Sequence, residues 1–240
     1  MCSSGMEGAT SKKVSLVHTV RAVYESFGAG LLEFMSGTET GPEAGSQSGP
    51  KIEIMNTVDE FLAADANING FTHSNKLRLL HILQAKDLER PDIIVVTCST
   101  LTPAVEEIRP LVRAPLVAID DAMAENAVRS GERIVLMATA ASTIGPGTSK
   151  LNLEASKIGR KIELETIHCA EAYDAIRRMD RASHDRQLIE VAKGIKDKDV
   201  IVLAQASMAP VEKEIEKLTG IKTLSSPNLC YEQIKRMLMT

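Results

Sequence analysis

Short apolar, β-branched runs alternate along this chain with longer amphipathic segments. The runs are VSLVHT, KIEIMN, DIIVVT, PLVAID, RIVLMAT, KIELETI, DVIVLA and, more weakly, IKTLSS. Between them lie segments with helical spacing, among them NKLRLLHILQAKDLE, PAVEEIRPLV and DRQLIEVAKGIKD. Near-continuous apolar runs, rather than strict alternation, suit strands covered on both faces of a parallel sheet. The pattern therefore predicts an α/β fold. One stretch, SGTETGPEAGSQSGP from Ser36 to Pro50, has too few apolar residues to build core and reads as a mobile loop before the second strand.

The runs also repeat. DIIVVTCSTLTPAVEEI, starting at Asp92, aligns without a gap on DVIVLAQASMAPVEKEI, starting at Asp199. KIEI at Lys51 matches KIEL at Lys161, and KVSLVHT at Lys13 matches RIVLMAT at Arg133. The pairs keep the same order in both halves, which chance matching of apolar strands explains poorly. We expect two pseudosymmetric, Rossmann-like α/β lobes, 13–120 and 121–227, with the site in the cleft between them. Residues 1–12 read as a flexible N-terminus, and 228–240 as a C-terminal helix packing back on the first lobe.

Composition narrows the partners. A net charge of −4 and an aromatic content of 3% supply neither a basic face nor stacking platforms for nucleic acid. No apolar run approaches the ~20 residues of a membrane span, and the small, polar start MCSSGMEGATSKK lacks the apolar middle of a signal peptide, so a cytoplasmic location is expected. The cysteines (Cys2, Cys98, Cys169, Cys230) form no C-x-x-C pair, which argues against a disulfide framework or structural zinc.

Chemistry concentrates where strands end. In VVTCSTLTP, Cys98 follows a buried strand and precedes a helix N-terminus, a setting that favours a thiolate. Thr97, Ser99, Thr100 and Thr102 surround it with hydroxyls able to hold a carboxylate. In the second copy, VLAQASMAP, Gln205 stands in the place of Cys98, followed by Ala206 and Ser207. An amide moves no proton near neutral pH but can hold a carboxylate or enolate oxygen. His18 and Thr19 end the first strand. MATAASTIGPGT offers Thr139, Ser142 and Thr143 before a Gly145-Pro146-Gly147 turn, a candidate anion-binding nest. No nucleotide-binding glycine motif is present. His168 and Cys169 end another strand and are candidate proton carriers. His73 and His184 precede helices that Ser74 and Asp185 would cap.

These segments together, VVTCSTLTP with VLAQASMAP, VHT and MATAAST in two-lobe order, resemble the aspartate/glutamate/hydantoin racemase superfamily from about Lys13 to Leu238. The resemblance implies a cleft between two lobes and no metal, flavin or pyridoxal cofactor. It implies a pair of cysteines, one per lobe, that remove and return a proton alpha to a carboxylate or carbonyl. Carried over by position, Cys98 is the first-lobe acid/base. Ser99, Thr100, Thr139, Ser142 and Thr143 are substrate-binding residues. Gln205 departs from the pattern, because the second thiol would stand there. A racemase or epimerase with another second carrier (His168, Cys169 or His18) is then one reading. The others are a one-cysteine decarboxylase of the arylmalonate type, a nucleophilic cysteine of the maleate isomerase type, and a non-catalytic carboxylate-binding protein. A small carboxylate, amino-acid or hydantoin-like substrate and a homo-oligomer are expected.

Overall fold

The computed structural model of the protein describes residues 11–37 and 51–240; nearly all of the expected flexible N-terminus and of the expected Ser36–Pro50 loop lies outside them. Each apolar run becomes a strand. Strands β1 (Lys12–His18), β2 (Ile52–Val58), β3 (Ile93–Val96) and β4 (Leu116–Ala118) form one parallel sheet in the order β2-β1-β3-β4. Strands β5 (Arg133–Ala138), β6 (Glu163–His168), β7 (Val200–Leu203) and β8 (Lys222–Ser225) form a second in the order β6-β5-β7-β8. The two orders are identical position for position, so each matched pair in the sequence occupies the same place in its sheet. All four residues of β3 and of β7 are buried, as strands covered by helices on both faces must be. β2 and β6 lie at sheet edges and carry mixed, partly exposed patterns.

Two helices cross between the sheets. Helix α10 (Ser226–Leu238) follows β8 but packs Cys230, Tyr231, Ile234 and Leu238 among Val14, Leu16 and Val95 of the first sheet. Helix α5 (Asp121–Ser130) follows β4 but packs Met123, Ala124, Ala127 and Val128 among Ile134, Leu136 and Val202 of the second. Each sheet thus completes its core with the helix that follows the last strand of the other. Tyr231 stacks on Phe27 of helix α1 (Arg21–Ser36) with ring centroids 4.8 Å apart.

The remaining helices are α2 (Glu60–Asn69), α3 (His73–Leu88), α4 (Thr102–Ile108), α6 (Ala141–Lys157), α7 (Ala170–Arg177), α8 (Arg181–Ala192) and α9 (Glu212–Thr219). Three sequence expectations need correction. Gly145-Pro146-Gly147 is no turn: it lies inside α6, with Pro146 in the second turn. A proline there removes one helical hydrogen bond near an end where few are fixed. Gly147 packs close against β5: a Cβ there would come 2.9 Å from Leu136 Cδ2, so that side chain would have to shift. The caps also differ. Thr72, not Ser74, accepts the Asn75 N–H at the start of α3, and Asp180, not Asp185, accepts the Ser183 N–H at the start of α8.

Candidate functional site

The carboxyl ends of both sheets open on one cleft of about 460 Å³. Open α/β sheets bind ligands at such ends, because the loops and helix N-termini converge there. Cys98, Thr19, Ser99, Thr100, Thr139, Ser142, Thr143, Gln205, Ala206 and Ser207 all line it, following the ends of β1, β3, β5 and β7, the inner strands of the two sheets. Two polar contacts join the lobes across it. The Thr100 and Thr143 hydroxyls share a hydrogen bond at 3.4 Å, and Ser142 Oγ donates to Asn67 Oδ1 on α2.

Cys98 sits at the start of a 3₁₀ turn, Ser99–Leu101, that leads into α4. Burial pushes its thiol above the ordinary value. The Thr19 hydroxyl, the Thr100 and Leu101 N–H groups and the Thr100 hydroxyl oppose that rise without cancelling it. The turn's donors favour the thiolate as the sequence suggests, but desolvation outweighs them, and the free protein holds a thiol. Thr19 Oγ1 is buried and lacks a fully formed hydrogen bond, so the sulfur is its nearest polar purpose.

Gln205 occupies the matching position in the other lobe and is held differently. Its Oε1 accepts from Thr139 N at 2.6 Å, Thr139 Oγ1 at 3.1 Å and Ala140 N at 3.4 Å. Thr139 corresponds to Thr19, so in both lobes the threonine after the central strand serves the residue at the cleft centre. The carbonyl oxygen thereby fills the donor set that an incoming anion would use. The amide NH2 is left as the part of Gln205 free to meet a ligand.

The other expected carriers lie elsewhere. His18 is buried behind the cleft wall: Nε2–H donates to Asn56 Oδ1 at 2.9 Å, and Nδ1 accepts from the Thr97 hydroxyl at 2.8 Å. Burial lowers its pKa, so the ring is neutral and steadies Thr97. His168 Nε2 donates to Thr139 O at 3.0 Å, outside the lining. Cys169 is packed among Met137, Ala172 and Leu188, and burial pushes its thiol up to about 11. Neither His168 nor Cys169 reaches the cleft, because β6 is an edge strand, one place removed from the centre.

Several lining residues carry no signal that the sequence motifs single out. Arg177 and Tyr173 come from α7 and Arg181 from α8, and Tyr231 comes from α10. Arg181 Nη1 donates to Ser207 O at 2.6 Å, tying α8 to the Gln205 loop. Two arginines four residues apart were the available clue.

One cluster elsewhere has the donors for a metal: Glu106, Asp121 and Glu154 converge. Its centre is already taken by the Lys150 ammonium, which pairs with all three. Burial opposes that charge, but the Asp121, Glu106 and Glu154 carboxylates outweigh it and hold Lys150 protonated. Among the described residues, no helix is long and apolar enough to cross a membrane.

The family profile described as Asp/Glu/hydantoin racemase matches residues 34–233. No curated protein matches the chain. Among solved structures, a candidate Asp/Glu racemase from Yersinia pestis superposes with a TM-score of 0.68 at 15% identity, covering 95% of this chain and 100% of that one. An aspartate racemase homologue from Pyrococcus horikoshii gives 0.66 at 13%, covering 95% and 100%. A variant of arylmalonate decarboxylase gives 0.62 at 13%, covering 95% and 93%. At such identities these structures establish a common fold.

Proposed function

The chain belongs to the Asp/Glu/hydantoin racemase family, and from that premise we propose a racemase-type isomerase in which Cys98 is the one thiol that moves the proton at a carbon alpha to a carboxylate or carbonyl, with water serving the opposite face. The observation that carries this reading is the asymmetry of the two strand ends. One presents a thiol, and the other presents an amide whose carbonyl is tied to the Thr139 turn.

The thiol first loses its proton to water, and the Thr19 hydroxyl and the Thr100 and Leu101 N–H groups hold the thiolate. The thiolate takes the alpha proton, and the bonding pair moves onto the carboxyl or carbonyl oxygen as an enolate. The Gln205 NH2 and the hydroxyls of Ser99 and Thr143 donate to that oxygen, the stabilisation a weak carbon acid requires. Cys98 returns its proton to the face it came from. Inversion needs a proton from water on the Gln205 side.

The test is proton NMR in D2O on a panel of chiral small carboxylates, with optical rotation followed in parallel. Deuterium should enter the alpha position several times faster than rotation is lost. Cys98→Ala should slow entry by about 10²–10⁴-fold, the usual range for a positioned acid/base. Gln205→Cys should narrow the gap between exchange and inversion by supplying a thiol to the second face. Exchange persisting in Cys98→Ala, or equal rates of exchange and inversion in the wild type, would sink the one-thiol mechanism.

A second reading is favoured by the raised Cys98 pKa, which makes the resting group a proton donor. A malonate-type substrate would lose CO2, its C–C bonding pair staying on the alpha carbon, and Cys98 S–H would protonate that carbon. The two readings part in their pH dependence. Exchange by a thiolate rises with pH toward the Cys98 pKa, whereas protonation by the thiol falls there.

A further inference from the structure

The cleft's charge is lopsided. Arg177 and Arg181 line it, and among the described residues no aspartate or glutamate does. Arg181 spends one donor on Ser207 O, two residues beyond Gln205, which fixes the guanidinium beside the second strand end and leaves its other N–H groups free. Arg177 lies over the Tyr173 ring at 5.9 Å and makes no ion pair among the described residues. Two unneutralised guanidiniums on one wall favour an anion, and a planar fork suits a carboxylate.

The same wall says what the ligand lacks. A free amino acid brings an ammonium group, which needs a carboxylate or several well-placed acceptors. Here the acceptor of the second lobe, Gln205 Oε1, is already bonded to Thr139 and Ala140. With two cations and no carboxylate on the lining, an ammonium would add a third positive charge without a counter-ion.

We propose that Arg177 and Arg181 form a subsite for a second anionic group, and that the cleft takes small dicarboxylate-type dianions without an α-ammonium rather than free amino acids. One carboxylate meets Ser99, Thr100 and the Gln205 NH2; the other meets the two arginines at the mouth. The substrate assignment rests on the proton-transfer reading above, while the subsite itself concerns binding alone.

Calorimetric titration of the whole chain separates the two. The probes are 2-methylsuccinate, L- and D-aspartate, and isobutyrate, which keeps the branched alpha carbon but has one carboxylate. Methylsuccinate should bind at least about tenfold more tightly than isobutyrate or either aspartate, a gap of about 1.4 kcal/mol. Arg177→Gln should weaken methylsuccinate about tenfold and leave isobutyrate within about twofold, which also shows that the variant folds; Arg181→Gln should weaken methylsuccinate at least as much, since it also releases the Gln205 loop. Aspartate binding as tightly as methylsuccinate, arginine variants without effect, or no methylsuccinate binding at millimolar concentration would each overturn the subsite. Arginine-dependent binding of methylsuccinate without Cys98-dependent deuterium entry would instead leave the subsite standing and count against the proton-transfer reading.

Discussion

Cys98 and Gln205 show how one position can keep its scaffold and change its chemistry. Both follow a buried central strand, and both are served by the threonine that ends the strand beside it. The thiol stays protonated because burial outweighs the Thr19 hydroxyl's favour for the thiolate; an amide oxygen accepts three times and cannot titrate at all. The alkylation rate of Cys98 by iodoacetamide should therefore rise with pH along a limb centred above the ordinary thiol range. Thr19→Val removes a donor that favours the thiolate, so its limb should move to higher pH. Alpha-proton exchange should then fall about tenfold at pH 7, the effect of one lost hydrogen bond to a charged group. Cys169 and Cys230, both buried and both raised, should stay unlabelled until the protein unfolds. A Cys98 limb at or below the ordinary value would mean that the turn's donors outweigh burial.

Helix α6 tests the packing that brings the two strand ends to one cleft. Its first residues present Ser142 and Thr143, and its second turn lies against β5. Gly147→Ala would drive a methyl into Leu136, at 2.9 Å from Cδ2, and should cost about 1–3 kcal/mol by overpacking. Gly145→Ala meets nothing within 4 Å beyond its chain neighbours, but its Cβ would crowd Cδ of Pro146, so the entropy gain is offset and the change should stay within about 0.5 kcal/mol. Thermal unfolding should show Gly147→Ala as clearly the more destabilising of the two, and equal effects would mean that α6 does not approach β5 as described. This helix also marks the limit of sequence reading. The strands were legible because apolar runs such as IIVV and VIVL can only be buried, and their order because it repeats. Gly145-Pro146-Gly147 reads as a turn by local propensity, and packing against Leu136 overrides that propensity. Cys98, Thr139 and Gln205 were legible as strand-end residues. Arg177 and Arg181 were not, because an exposed arginine on a helix looks the same whether it faces a cleft or solvent. His168 and Cys169 misled for a related reason: a strand end faces the cleft only when its strand is central.

At the scale of the molecule, the lobes are joined by α5 and α10 crossing over and by one buried charge. Lys150 on α6 of the second lobe is enclosed by Glu106 on α4 of the first, Asp121 at the start of α5, and Glu154 one turn along α6. Arg109 braces the same group from Glu106 and Asp121. Since α4 follows Cys98 and α6 carries Thr143, this cluster holds the two walls of the cleft in register from below. Lys150→Met keeps the length of the side chain and removes the central charge, leaving Arg109 as the cation on Glu106 and Asp121 and Lys157 on Glu154. The loss should be about 2–3 kcal/mol at pH 7, below the cost of a buried pair broken with no other partner. Its pH dependence identifies the cause. In the wild type the Asp121 and Glu154 pKa values are lowered, so their stabilisation is present above the unfolded values and is lost as pH falls through the folded ones. In the variant the crowded carboxylates are raised instead, as Asp120 beside them already is at about 6 through burial. Their penalty is then largest at neutral pH and disappears as they protonate. Urea unfolding curves of the two proteins should draw together between about pH 7 and pH 4. A gap that stays constant over that range would assign Lys150 to packing rather than to charge.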